Sequence, residues 1–354
     1  MTTRQAIFQS AIQSYNDGYG MSHCNTKFFF ERAVCPICAS RATSKIYECG
    51  LTSSPIKDLI SSHYRSQGIV DWSLFDGTDY ELRKCDDCKL IYQKNVPNDH
   101  VLDRIYNEMI APDGLDRLEE ERLTIDNFER LAGELGVLFR WCARINGKHP
   151  SKIRFLDYGF GHGRWARIAR ALGATVFATE TGDAKKAIAA GIGVEIISDD
   201  DIDRMRFDIV HTEQVFEHLV DPAGTFKRLS AATDGIFKLA VPHHRNLEAT
   251  LASKGIPKES PFHQKQITGR RLSMADYTYI SILPLEHLNT YSPKTIDYLT
   301  RENGMRVVST KRKSSVALVP TDLGSLVRSS LKAGAMAAKM SLPRDTGYYL
   351  MTPA

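Results

Sequence analysis

From residue 150 onward, short apolar runs with β-branched residues alternate with stretches whose apolar side chains recur every three or four positions. The runs predict strands at 153–158, 174–180, 193–197, 207–212 and 235–241. Helices are predicted between them at 165–172 and 183–191. Further on, a helix at 294–303 with Pro293 in its first turn is followed by strands at 304–308 and 347–351, the last inserted antiparallel. Strands separated by helices predict an α/β fold: a doubly wound, Rossmann-like sheet of seven strands that takes ligands outside the strand carboxyl ends. Upstream, Phe128, Leu131, Leu135, Leu138, Cys142 and Ile145 form one apolar stripe, which predicts a helical connector over 98–149. Residues 323–340 read as a second amphipathic helix outside the sheet.

The first predicted strand runs into Asp157-Tyr158-Gly159-Phe160-Gly161-His162-Gly163 and then a helix. Glycines at alternate positions let the chain turn sharply and let a ligand touch main chain, and the helix behind them presents free N–H groups. The spacing excludes the dinucleotide fingerprint G-x-G-x-x-G, because Arg164 stands where its third glycine belongs. The second strand ends on Glu180, a carboxylate able to accept from both hydroxyls of a ribose.

In this order of loop, helix, strand and acid the chain resembles the class I S-adenosylmethionine-dependent methyltransferases. The segment Glu213-Gln214-Val215-Phe216-Glu217-His218-Leu219-Val220-Asp221-Pro222 and the phrase Glu286-His287-Leu288-Asn289-Thr290-Tyr291-Ser292-Pro293 resemble two further stretches of that family. The resemblance implies a cofactor site of Asp157, Gly159, Gly161, Gly163, Glu180, Asp199 and Gln214, with Gln214 toward the methionine end; Asp199, after the third strand, is either an acceptor for the adenine amino group or a solvated loop charge beside two others. Methyl transfer to a hydroxyl or a carbon acid needs a base, and His218, His243 and His287 are the candidates. Each could equally be a histidine that only braces a loop.

Cys35-Pro36-Ile37-Cys38 and Cys85-Asp86-Asp87-Cys88 are paired C-x-x-C knuckles. They offer four thiolates to a tetrahedral, structural Zn²⁺, with no position left open for chemistry. Together with the phrase after the second knuckle they resemble zinc-bearing bacterial methyltransferases linked to sugar and polysaccharide modification. That implies a small-molecule acceptor, a carbohydrate or nucleotide sugar. Residues 243–290 carry several basic side chains and four histidines, and are expected to form a substrate lid favouring anionic acceptors.

The 354 residues carry a net charge of +4, too small an excess to argue for nucleic acid or a membrane surface. No apolar run reaches the ~20 residues of a membrane span, and no secretory signal is read, so a cytoplasmic location is expected. The expected organisation is a zinc-ribbon-like module at 1–97, the connector at 98–149 and a methyltransferase domain at 150–354, with the lid at 243–290 and an extra helix at 320–342. Two other readings compete. One is an RNA methyltransferase that grips nucleic acid with the zinc module; the other is a non-catalytic scaffold that keeps the fold.

Overall fold

Fourteen strands are found among the described residues of the computed structural model, which are 22–23, 28–65, 67–109, 124–180, 183–242, 244, 246–269, 272–310, 324, 327, 330–331, 334 and 347–354. In chain order they are β1 (Ser22–His23), β2 (Phe29–Glu31), β3 (Thr43–Gly50), β4 (Asp79–Cys85), β5 (Ile91–Gln93), β6 (Asn95–Pro97), β7 (Arg154–Tyr158), β8 (Thr175–Thr179), β9 (Glu195–Ile196), β10 (Phe207–Glu213), β11 (Thr233–Ala240), β12 (Asn289–Thr290), β13 (Met305–Ser309) and β14 (Tyr348–Pro353). Contacts gather the chain into two units. The first takes Met1–Glu120, Gln214–Phe226 and Val241–Leu299; the second takes Glu121–Glu213, Lys227–Ala240 and Thr300–Ala354.

The second unit is built on a seven-stranded sheet in the order β13-β14-β11-β10-β7-β8-β9. Strands β7 to β11 pair in parallel, and β14 runs antiparallel to both β11 and β13. The chain moves outward from β7 through β8 to β9, then returns to β10 and moves the other way. The strand order therefore reverses between β7 and β10, where an open α/β sheet leaves a crevice at the strand carboxyl ends. This is the seven-stranded Rossmann-like sheet expected from the sequence, with the antiparallel last strand in place.

The helix Ile125–Asn146 belongs to this unit's core. Thr124 caps its start by accepting from the Asn127 N–H, and Gly147, at φ 64°, ends it in the left-handed conformation. Its stripe buries Leu131, Leu135, Leu138 and Cys142 in a core shared with Phe155, Ile209 and Ile236, while Ile145 stays exposed. Upstream, the expected helix is interrupted: Asp99–Arg104 is α-helical and Ile105–Met109 is a π-helical turn.

The first unit contains a four-stranded antiparallel sheet in the order β12-β5-β4-β3 and a small sheet in the order β1-β2-β6. Residues 243–290, expected as a lid, contain helices Leu247–Lys254, Pro261–Thr268 and Met274–Ile280. Leu247, Leu251, Ile256, Tyr279, Ile282 and Leu285 from this stretch join Phe29, Ile56, Leu59, Tyr64 and Tyr80 in the first unit's core. The amphipathic helix expected near 323–340 lies mostly outside the described residues.

Asp208 on β10 is buried and receives three donors within the second unit: Lys148 Nζ at 2.6 Å, the Arg154 N–H at 2.9 Å and Asn146 Nδ2 at 3.0 Å. It ties the end of the long helix and the start of β7 to β10. Replacing it by alanine strands a partly buried ammonium and a strand N–H. Asp208→Ala should therefore lower stability by about 2–4 kcal/mol, read from the urea midpoint at unchanged m-value.

Candidate active site and thiol cluster

The glycine loop follows β7 directly, and its three glycines, Gly159, Gly161 and Gly163, have φ of 90°, 56° and 72°. A Cβ on Gly163 would sit 2.4 Å from the buried Phe160 ring, so that glycine is required by packing as well as by conformation. A Cβ on Gly161 would meet nothing within 4 Å: this is the open side of the loop. Glu180, just beyond β8, turns toward the loop, and its Oε2 accepts from the Gly161 N–H at 3.1 Å. Thr179 Oγ1 accepts from the Gly159 N–H at 3.0 Å. The strand tip thus brings the acid and the bare main chain together, and the helix Arg164–Ala171 begins at Gly163 without a side-chain cap.

Asp199 opens the short helix Asp199–Asp203, and Arg228 Nη1 lies 2.9 Å from its carboxylate. Burial raises the Asp199 carboxyl above the usual carboxylate range, and Arg228 opposes that rise. Gln214 follows β10 at φ 56°, an uncommon conformation for a residue with a side chain, and it turns the chain out of the strand.

Asp157 is not a surface acid of the loop. It is buried, and its Oδ1 accepts from His211 Nδ1 at 2.8 Å. Behind His211 stands a fully buried lysine, Lys238 on β11. Neither residue is marked by a motif, although a titratable side chain among apolar neighbours, His211 within Phe207–Glu213 and Lys238 within Thr233–Ala240, is a signal of a buried partner.

In the first unit a second constellation forms. The short helix Phe216–His218 begins three positions after the end of β10, and it carries Glu217 and His218. His287 packs edge-on against His218 with ring centroids 4.8 Å apart, and the ligating atoms of Glu217, His218 and His287 all lie within 4.8 Å of one another. His287 Nδ1 donates to the Ile280 carbonyl at 2.5 Å. Tyr106, on the π-helical turn, reaches His218 Nδ1 at 3.1 Å, and Glu217 Oε1 is 4.0 Å from His218 Nε2. Glu286 accepts from Tyr64 OH at 2.7 Å and pairs with His63 Nε2 at 3.0 Å.

Burial lowers both His218 and His287 below the ordinary imidazole range, His287 to about 3. Burial works to raise Glu286, but His63, His218 and His287 outweigh it and hold the carboxyl at about 2. Two of the three expected base candidates therefore meet in one place, whereas His243 lies outside the described residues. His63, Tyr64 and Tyr106 are additions that no local motif marked, and Glu286 stood in the sequence only as the first residue of the phrase around His287.

The two knuckles close on each other. Cys35 and Cys38 sit in the turn after β2, and Cys85 and Cys88 in the turn between β4 and β5. Cys35 Sγ is 3.5 Å from Cys88 Sγ and Cys38 Sγ is 3.4 Å from Cys85 Sγ, and all four sulfurs lie within 4.8 Å of one another. Hydrogen bonding from Cys35 leads the effects that hold Cys38 at about 2.

The methyltransferase-domain family model matches residues 128–310, just over half of the chain. No curated protein matches the sequence. Among solved structures, the plantazolicin methyltransferase BpumL in complex with SAH is 12% identical, with a TM-score of 0.41 over 70% of this chain and 91% of that one. Magnesium protoporphyrin IX methyltransferase (ChlM) from Synechocystis PCC 6803 with bound SAH is 15% identical, with a TM-score of 0.35 over 62% of this chain and 94% of that one. Coclaurine N-methyltransferase bound to N-methylheliamine and SAH is 16% identical, with a TM-score of 0.32 over half of each chain. The family match over the glycine loop, Glu180 and the Glu217–His218 turn, on a sheet of this strand order, makes the chain a member of the methyltransferase-domain family and a class I S-adenosylmethionine-dependent methyltransferase.

Proposed function

We propose that the protein methylates an oxygen of a small-molecule acceptor, a carbohydrate or nucleotide sugar, with His218 as the general base. The observation that carries this reading is the polar constellation of Glu217, His218, His287, Glu286, His63 and Tyr106 within one unit. A polyhydroxylated acceptor has to find donors and acceptors of this kind. The bound cofactor would supply an electrophilic methyl carbon on sulfur, ready for in-line displacement. The protein's own part is to hold the acceptor oxygen in line and to remove its proton.

His218 suits the base better than His287. Its side chain is 26% exposed, whereas His287 is 7% exposed and uses one nitrogen on a carbonyl. Glu217 stands where it can stabilise the imidazolium that proton removal creates. Asp157, Gly159, Gly161, Gly163, Glu180, Asp199 and Gln214 are proposed to hold the cofactor, the ribose on Glu180 and the tail against the glycine main chain. Of these, Asp199 already holds Arg228, and Asp157 is buried with one oxygen on His211.

The four thiols fit a structural Zn²⁺. Tetrahedral thiolate at ~2.3 Å from the metal places sulfurs roughly 3.8 Å apart; the Cys35–Cys88 and Cys38–Cys85 separations of 3.5 and 3.4 Å lie a little below that value, and all four sulfurs fall within 4.8 Å of one another. Cys35, Cys38, Cys85 and Cys88 would hold the ion and staple the turn after β2 to the turn between β4 and β5.

Four measurements test these assignments. Isothermal titration with S-adenosylmethionine should give one site per chain, lost in Gly161→Val and in Glu180→Ala at unchanged zinc content; affinity retained in both variants places the pocket elsewhere. His218→Ala should lower kcat by roughly 10²–10⁴-fold. Because burial depresses His218, the neutral base persists below the ordinary imidazole pKa of about 6.5, so the acid limb of the kcat profile should lie below that pH. An acid limb above it would exclude His218. Metal analysis should find one zinc per chain, absent in Cys85→Ser, and released as acid protonates the thiolates. Nucleotide sugars should compete as acceptors; RNA bound with steep salt dependence would redirect the acceptor class.

A further inference from the structure

Asp157, His211 and Lys238 lie side by side on β7, β10 and β11, in register across the three strands. Their side chains meet in one line: Asp157 Oδ1 and His211 Nδ1 are 2.8 Å apart, and His211 Nε2 and Lys238 Nζ are 3.0 Å apart. Beyond the lysine are Glu213, which it contacts directly, and Glu134 at 4.0 Å on the helix Ile125–Asn146. The rings of Trp165 and Tyr348 flank the ammonium, with centroids 4.8 and 5.7 Å away. Trp165 also packs on His211, at 4.6 Å. Lys238 is fully buried, an expensive placement that needs partners.

The donor and acceptor roles in this row are forced. An ammonium has only donors, so His211 Nε2 must be the acceptor. A neutral imidazole that accepts at Nε2 carries its proton at Nδ1, and that proton goes to Asp157 Oδ1. The other carboxylate oxygen, Oδ2, is buried and finds no hydrogen-bond partner among the described residues. The row thus holds one oxygen of Asp157 and leaves the second, on a residue two positions before the first glycine of the loop, without a hydrogen-bond partner among the described residues.

We propose that Lys238 is a positioning residue for cofactor binding: through His211 it fixes the orientation of Asp157, so that Oδ2 is presented to a donor group of the cofactor. This rests on the assignment of the glycine loop as the cofactor cradle. The charge on Lys238 has a second effect. His211 faces Asp157 from β7, Glu213 from its own strand and Lys238 from β11, with Glu134 behind the lysine. Removing the ammonium leaves the imidazole among carboxylates, where it gains a proton and turns Asp157 into the partner of a cation.

The experiment uses the full chain labelled with [¹⁵N]histidine, with His211→Asn to assign the signal, and titration of S-adenosylmethionine between pH 6 and 8. In the wild type, His211 should be the Nδ1–H tautomer and should not titrate across that range. In Lys238→Met, His211 should take up a proton within it. The variant's S-adenosylmethionine affinity should fall at least fivefold from pH 8 to pH 6 relative to the wild type. Lys238→Arg, whose guanidinium also has only donors, should restore the tautomer and flatten the profile. A merely structural lysine would lower affinity equally at every pH, so parallel profiles overturn the proposal, as does an Nε2–H tautomer in the wild type. Should Lys238→Met fail to fold, the wild-type tautomer and the arginine variant still decide. Wild-type protein with the expected tautomer that binds no cofactor would sink the cradle assignment instead, and the purpose of the row with it.

Discussion

A buried guanidinium sets the geometry on which the histidine constellation depends. Arg32 donates through Nη1 to the Leu288 carbonyl at 3.2 Å and to Asn289 Oδ1 at 3.0 Å, and through Nη2 to the Val220 and Leu219 carbonyls at 2.8 and 3.3 Å. It therefore joins the segment that follows Glu217 and His218 to the segment that follows His287. Asn289 completes the clasp by donating to the Phe216 and Leu219 carbonyls, and Tyr291 donates to Phe216 as well. Lysine could not replace this arginine: only a planar fork with five donors can serve two directions at once. The Glu217–His218 turn and the His287–Asn289 strand are thereby held as one rigid frame.

The thiol cluster extends the same frame. Thr295 Oγ1 donates to the Cys88 carbonyl at 3.0 Å, so the helix that begins after Tyr291 rests on the second knuckle. Gln93 Nε2, on β5 just beyond that knuckle, donates to the His287 carbonyl at 2.9 Å. On this geometry, a metal holding the knuckles would act on the histidines at one remove, through backbone carbonyls rather than through any ligand shared with them. Leu285, at φ 71°, shows where the strain of this arrangement is taken up, one residue before Glu286.

What the sequence made legible follows from how local each signal is. The seven-stranded sheet was readable because its strands are mostly apolar runs separated by stretches of helical periodicity, and the glycine loop marks where the first of them ends. The proposed cradle was readable as a pattern because Gly159, Gly161, Gly163 and Glu180 fall within one strand-loop-helix-strand unit, where the Glu180 carboxylate accepts from the Gly161 N–H. The four cysteines were readable because a knuckle is a local spacing. Less legible were features whose partners are far apart in the chain. His63 meets Glu286 across 223 residues, and Arg32 meets Asn289 across 257. No periodicity announces such a contact. The stretch 243–290 illustrates the same point: its charges suggested a substrate lid, while the part that Leu247, Leu251, Tyr279 and Ile282 take in the first unit's core was not marked by one amphipathic pattern.

Lys238 shows how the two levels interact. A lysine in the middle of a parallel strand contradicts the rule that such strands are apolar on both faces. The contradiction is resolved by neighbours from four other elements: His211 on β10, Glu134 on the long helix, Trp165 on the helix Arg164–Ala171 and Tyr348 on β14. Replacing such a group by a well-packed apolar residue is often neutral or stabilising, so stability alone is a weak reason for its presence. What a buried ammonium does supply is direction. It fixes which nitrogen of His211 carries the proton, and so which way the carboxylate of Asp157 is held, at the point where the strand order reverses and the sheet opens to a ligand.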